Sequence, residues 1–153
     1  MMVPWRSGGE TQPVPVLVAM HGCALQRRFK AVLAQLGCVD RLVFASSLAQ
    51  ARACLTGLRP RLALVDAGLP DGNGLELVRE IRAADGQAGI LVVSVVRSRE
   101  AVASALRAGA TGYMLRERDD VELMLGIRSL LRGGMPIDPF VLRQILPAYA
   151  TCP

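Results

Sequence analysis

Short apolar segments alternate along the chain with longer segments in which apolar residues recur every three or four positions. The apolar segments are rich in β-branched residues and have the length of buried strands. We predict strands over residues 14–19, 42–45, 62–65, 90–93 and 113–115. The helical spacing predicts amphipathic helices over residues 25–36, 48–55, 75–83 and 99–108, and from Asp119 or Asp120 to the glycine pair 133–134. Asp138 followed by Pro139 is typical of a helix start and predicts a short helix over residues 140–146.

Strand and helix thus alternate five times, which is typical of a parallel sheet with helices on both faces. Right-handed crossovers make this a doubly wound, five-stranded α/β fold. We expect one domain over residues 14–132, preceded by a flexible leader over 1–13 and followed by a connector with the short helix over 133–153. Because ligands of such sheets bind at the carboxyl ends of the strands, the candidate site comprises Met20, His21, Asp66, Ser94 and Arg116.

The composition of the 153 residues excludes several classes of protein. With 52% hydrophobic and 20% charged residues, the chain is too apolar and too weakly charged to be disordered. No apolar run reaches the roughly 18 residues of a membrane span, so we expect no membrane partner. The net charge is +5, but the arginines are scattered and aromatic residues make up only 4%, so we expect no direct binding of nucleic acid.

The cysteines indicate neither a disulfide framework nor a zinc site. Cys23, Cys38, Cys54 and Cys152 form no CxxC pair, and His21 is the single histidine. We expect the first three cysteines to be small core residues. The N-terminal residues contain no apolar segment typical of a signal peptide. A reducing cytoplasm is therefore the expected location.

The loop after the third predicted strand resembles the phosphoacceptor loop of response-regulator receiver domains. Asp66 is followed by Leu69-Pro70 and by Gly74, which matches the family's D-x-x-L-P-x-x-x-G string. The resemblance implies that Asp66 is the equivalent of the phosphoacceptor.

Three further segments resemble the same family. Ser94 stands where the family has its Ser or Thr switch, and Tyr113, within GATGYMLR (109–116), falls on its switch aromatic. The segment GGMPIDPFVLRQIL (133–146) resembles the connector after receivers of LuxR-type regulators. The resemblance implies a flavodoxin-like receiver fold with Ser94 and Tyr113 as switch equivalents.

The end of the first strand departs from the family pattern. The two acidic residues that hold Mg²⁺ in the family align with Met20 and His21. Mg²⁺ prefers oxygen ligands, whereas these residues offer a soft sulfur and an imidazole. Asp66 and the carbonyl of Gly68 remain, with Asp71 as a less suitable substitute. We therefore expect no metal site, weak or absent Mg²⁺ binding, no other cofactor and poor phosphotransfer.

Arg116 is a second departure, because the family has lysine there. Its planar guanidinium can pair with Asp66 through two parallel hydrogen bonds, and a charged His21 would add a second cation. We hypothesise that these fixed cations neutralise Asp66 and hold one conformation. Plainer alternatives remain open: His21 faces solvent, Ser94 only hydrogen-bonds nearby backbone, and Tyr113 is a packed aromatic.

These residues indicate an atypical receiver that is no enzyme and acts by contact with a protein, a histidine kinase or a downstream regulator. The family pairs through its fourth helix, fifth strand and fifth helix, or through its first and fifth helices, so the resemblance implies a homodimer. The successive apolar residues 123–125 cannot all face one core, which suits an interface. Three alternatives stay open: a conventional receiver phosphorylated at Asp66, a sensor binding a small molecule beside it, and the receiver part of a transcription regulator whose DNA-binding domain is absent from this sequence.

Overall fold

The computed structural model describes residues 14–145, so the predicted leader and residues 146–153 lie outside the described part of the chain. In chain order the strands are β1 (Val14–Ala19), β2 (Val39–Ala45), β3 (Leu62–Asp66), β4 (Gly68–Leu69), β5 (Gly72–Asn73), β6 (Gly89–Ser94) and β7 (Gly112–Leu115). The helices are α1 (Cys23–Ala34), α2 (Leu48–Leu55), α3 (Gly74–Ala84), α4 (Arg99–Ala108), α5 (Asp120–Leu131) and α6 (Pro139–Ile145).

Five parallel strands form one sheet in the order β2-β1-β3-β6-β7, and a helix lies between each strand of that sheet and the next along the chain. Alternate residues of β1 face opposite sides: Leu17 and Ala19 pack with α2, α3 and α4, whereas Val16 and Val18 pack with α1 and α5. Burial on both faces explains why the central strands are apolar without alternation. The predicted doubly wound α/β fold is confirmed.

The helices and strands differ from the predicted bounds by one or two residues at several ends, and two differences are larger. Strand β2 begins at Val39, three residues before the predicted start. The predicted strand is too short because the exposed residues Asp40 and Arg41 of this edge strand interrupt its apolar pattern. The predicted loop 67–74 contains the short antiparallel hairpin β4–β5. None of the helices within residues 14–145 is long and apolar enough to cross a membrane.

Side-chain burial corrects one expectation about the cysteines. Cys38 is buried and Cys54 is half-buried, but Cys23 is exposed, because it lies in the first turn of α1, ahead of the buried face that starts at Phe29. The three successive apolar residues of α5 divide as helix geometry requires: Leu123 is buried, Met124 is half-buried and Leu125 is 54% exposed.

The start of α3 lies against the backbone at the end of β3. The N–H of Gly74 donates to the carbonyl of Ala67 at 2.9 Å, and the side chain of Asn73 caps the helix by accepting the N–H of Leu75 at 2.9 Å. A Cβ atom at Gly74 would lie 2.1 Å from the carbonyl oxygen of Asp66. Glycine is therefore required at this position, because a side chain would clash with the backbone of Asp66 and force the start of α3 away from the end of β3.

The connector folds back onto the open edge of β7. The N–H of Tyr113 donates to the carbonyl of Pro136 at 2.9 Å, and the N–H of Asp138 donates to the carbonyl of Tyr113 at 2.7 Å. Ile137 forms a parallel bridge with Tyr113, and Val141 of α6 is buried beside α4. The short helix predicted from Asp138-Pro139 is thus present. Residues 136–138, which precede it, cover an edge of the sheet that would otherwise expose unpaired backbone groups.

We expect substitution Gly74→Ala to destabilise the domain by about 1–3 kcal/mol, because the added methyl group overpacks a fixed backbone contact. Gly57→Ala is the matched control: a Cβ there meets nothing within 4 Å, so the change should be within about 1 kcal/mol of neutral. Urea unfolding followed by circular dichroism measures both. Equal free energies of unfolding for the two variants would contradict the steric explanation.

Candidate functional site

The predicted site residues follow the carboxyl ends of neighbouring strands. Asp66 ends the central strand β3 and is only 2% exposed. Met20 and His21 follow β1 on one side of it, Ser94 ends β6 on the other side, and Arg116 follows β7. The fold therefore places a buried carboxylate at the centre of this edge.

Both carboxylate oxygens of Asp66 have partners. Oδ1 accepts the backbone N–H of Gly68 at 2.9 Å, and Oδ2 accepts Nη2 of Arg116 at 2.5 Å. The Arg116 side chain is 37% exposed, whereas that of Asp66 is 3% exposed. The two parallel hydrogen bonds expected for this pair are not formed: one nitrogen makes the contact, and Nε of Arg116 is buried without a hydrogen-bond partner among the described residues.

The position of Arg116 is set from α1 by Arg28. Its Nη1 donates to the carbonyl of Arg116 at 2.7 Å, its Nη2 to the carbonyl of Arg118, and its Nε to Oδ1 of Asp120 at 2.7 Å. Two of the guanidinium nitrogens thus hold the β7–α5 loop, residues 116–119, and the third holds Asp120, the first residue of α5. No sequence pattern indicates this role, because nothing in the adjacent pair Arg27-Arg28 points to a partner 88 residues away.

Met20 and His21 do not join this ion pair. Met20 is fully buried in the core beside α1 and α5. His21 is exposed and makes no hydrogen bond or ion pair with another residue of the segment 14–145. This geometry fits the plainer alternative for His21, that of a strand-end residue facing solvent.

The two switch equivalents meet at the backbone of Val96. The hydroxyl of Ser94 accepts the N–H of Val96 at 3.0 Å, and the hydroxyl of Tyr113 donates to the carbonyl of Val96 at 2.6 Å. Burial raises the pKa of Tyr113, the neighbouring Ser94 side chain lowers it and the charge of Asp138 raises it, so that the pKa lies above its usual value. Ser94 therefore hydrogen-bonds nearby backbone and Tyr113 is a packed aromatic in this conformation.

A second buried carboxylate, Asp138, lies at the start of α6. Its Oδ2 accepts Nε of Arg118 at 2.7 Å and the N–H of Leu115 at 3.0 Å, and its Oδ1 accepts Nη2 of Arg118 at 2.8 Å and the N–H of Phe140 at 2.9 Å. Burial alone would raise the pKa of Asp138, but the bonds from Arg118 and the two backbone N–H groups outweigh it, so the pKa lies below its usual value. Asp138 is therefore an anchor of the connector.

Comparison with known proteins identifies the family of this chain. The model of the response regulator receiver domain matches residues 16–128. The chain belongs to the response regulator receiver domain family. Receiver domains of this kind are signalling modules of two-component systems rather than typical enzymes.

Curated relatives of this receiver agree with that assignment. The DNA-binding transcriptional activator DevR/DosR of Mycobacterium tuberculosis is 34% identical over 61% of this chain and 43% of its own length. The nitrate/nitrite response regulator NarL of Escherichia coli is 35% identical over 51% of this chain and 36% of its own length. The chain therefore spans less than half the length of these relatives.

The fold is shared with solved receiver structures. A LuxR-family two-component response regulator from Aurantimonas has a TM-score of 0.82 at 22% identity, over 90% of this chain and 99% of that one. The receiver domain of the NarL regulator of Mycobacterium tuberculosis has a TM-score of 0.72 at 22% identity, over 80% of this chain and 98% of that one.

The residues of this receiver do not fit the Mg²⁺ ion that the family implies. Both oxygens of Asp66 are engaged, and the sulfur of Met20 is buried in the core. Asp71, the possible substitute, caps α2: its oxygens accept the N–H groups of Leu48 and Ala49 at 2.7 and 3.0 Å, and these bonds lower its pKa. Within residues 14–145, no group of three or more His, Cys, Asp or Glu residues could hold a metal ion.

We expect Arg116→Met to cost about 1.5–3 kcal/mol at neutral pH, because the substitution leaves the buried Asp66 carboxylate without its cation. The double variant D66N/R116M should regain part of that loss, which gives the pair a measurable coupling energy. Urea unfolding of the two single variants and the double variant measures it.

The control is Arg52→Met, which removes an exposed ion pair with Glu80 at 2.7 Å and should cost less than about 1 kcal/mol. Strict additivity of D66N and R116M would show that the two side chains do not stabilise each other.

Proposed function

We propose that this receiver signals with Asp66 held by Arg116, and not through Mg²⁺-dependent phosphorylation. The observation that carries the proposal is the 2.5 Å contact between Nη2 of Arg116 and Oδ2 of the buried Asp66. Phosphotransfer to a carboxylate needs a free attacking oxygen and a cation that neutralises the charge of the incoming phosphoryl group. Here the attacking oxygens already accept hydrogen bonds, and the cation is tethered to one of them.

The receiver then acts through contact with a protein, a histidine kinase or a downstream regulator. Its relatives support a role in transcription, because DevR/DosR is described as a DNA-binding transcriptional activator and NarL as a response regulator. The connector that resembles those of LuxR-type regulators supports a second candidate function, namely the receiver part of such a transcription regulator. Both functions use the same Asp66–Arg116 pair.

Mass spectrometry of the intact protein tests the proposal. After incubation with acetyl phosphate and Mg²⁺, we expect wild-type protein to gain no phosphoryl group at Asp66, and we expect calorimetric titration to detect little Mg²⁺ binding. The variant H21D/R116K restores one acidic residue and the family's lysine without touching the buried Met20, so it should gain phosphate where wild type does not. Stoichiometric phosphorylation of wild type that disappears in D66N would refute the proposal.

We further propose a homodimer that forms through α1 and α5. The edge of β7 is covered by the connector, whereas Val121 and Leu125, one turn apart on α5, are 61% and 54% exposed. Size-exclusion chromatography with light scattering should give the mass of a dimer for wild type and of a monomer for Leu125→Glu, since the added charge would be buried at the interface. A wild-type monomer, or a dimer unaffected by Leu125→Glu, would exclude this face.

A further inference from the structure

We infer that the β7–α5 loop couples the state of Asp66 to the docking of the connector. The juxtaposition that points to this is the loop's two arginines: Arg116 binds Asp66 in the site, and Arg118, two residues on, binds Asp138 at the start of α6. The inference goes beyond the proposed function, because it holds whether or not Asp66 accepts a phosphoryl group.

The two ion pairs share one support. Arg28 donates to the carbonyl oxygens of both Arg116 and Arg118 and also to Asp120 at the start of α5. A displacement of the backbone at Arg116 would break one of these bonds and release the neighbouring one, because a single guanidinium makes them all. We therefore expect the loop to be either held by Arg28 or released from it.

Docking of the connector depends on the position of Arg118. Asp138 is fully buried, and two of its four hydrogen bonds come from that side chain. A buried carboxylate that loses its cation is strongly unfavourable, so release of Arg118 favours undocking of the segment that carries Asp138. The other contacts that hold the connector are two backbone hydrogen bonds with Tyr113, the N–H of Leu115 on Asp138, the packing of Ile137 and Val141, and the ring of Phe140 under Arg97 at 4.7 Å.

Coupling of this kind is reciprocal. If loss of the Asp66–Arg116 pair loosens the connector, loss of the Arg118–Asp138 pair must loosen the site by the same factor. Two backbone amides report on the two ion pairs that the loop joins, one in the connector and one in the site. The N–H of Asp138 donates to Tyr113 and follows connector docking, and the N–H of Gly68 donates to Asp66 and follows the site.

Site-resolved hydrogen exchange by NMR tests the coupling with isosteric substitutions. We expect Asp66→Asn to speed exchange of the Asp138 amide, and Asp138→Asn to speed exchange of the Gly68 amide, each by about tenfold, which lies within the usual range of allosteric coupling. Arg28→Gln should speed exchange at both amides, because it removes the shared support. The experiment uses neither Mg²⁺ nor a phosphoryl donor, so its result is separate from that of the phosphorylation test.

The matched control is Glu80→Gln, an isosteric change at a carboxylate of α3 that pairs with Arg52, and it should leave both amides unchanged. The amide of Leu64 in β3 separates coupling from global loss of stability, since global unfolding would speed its exchange as well. Coupling is overturned if Asp66→Asn and Asp138→Asn each act only at their own end of the loop, or if Arg28→Gln changes exchange at one end alone.

Discussion

A carboxylate buried at the centre of a parallel sheet needs compensation of its charge, and this requirement organises the whole carboxyl edge of the domain. Asp66 is almost inaccessible to water, so an uncompensated negative charge there would be costly. In the family a divalent ion takes part in that compensation. In this chain the guanidinium of Arg116 does so, and the rest of the edge is arranged around the need to hold that side chain in place.

A guanidinium differs from a bound divalent metal ion in ways that matter for signalling. It is tethered, so its local concentration never falls, and it carries a single charge spread over a plane. In this receiver the guanidinium makes one hydrogen bond to Asp66 and not two parallel ones. Nη2 contacts the carboxylate, while Nε is buried without a hydrogen-bond partner among the described residues. The backbone therefore sets the position of Arg116 more than the ion pair does, and Arg28 fixes that backbone. A cation held in this way stays beside Asp66 as long as the loop keeps this conformation.

The parts of the molecule that the sequence predicts best are the strands and helices whose apolar residues follow a regular pattern. Strands β1, β3 and β6 are buried on both faces and their sequences are apolar runs, whereas the exposed Asp40 and Arg41 follow the first residue of β2, whose start is predicted three residues too late. Contact between Arg116 and Asp66 was foreseeable because the ends of parallel strands converge. The bonds of Arg28 and the Arg118–Asp138 pair were not foreseeable, because no repeating spacing links their partners. The bonds of Arg28 join residues 88 to 92 positions apart, and the Arg118–Asp138 pair joins residues 20 positions apart. The single-nitrogen geometry at Asp66 likewise depends on backbone positions that no side-chain pattern encodes.

The covered edge of β7 limits what the domain can present to a partner. An exposed edge strand invites pairing with another chain, and here residues 136–138 take that place. The anchoring carboxylate Asp138 gains its cation from the same short loop that supplies the cation of Asp66. Two buried negative charges, one in the site and one in the connector, therefore depend on the placement of one stretch of backbone. A domain built in this way can pass a change at either carboxylate to the other without a mobile metal ion and without a large rearrangement of its core.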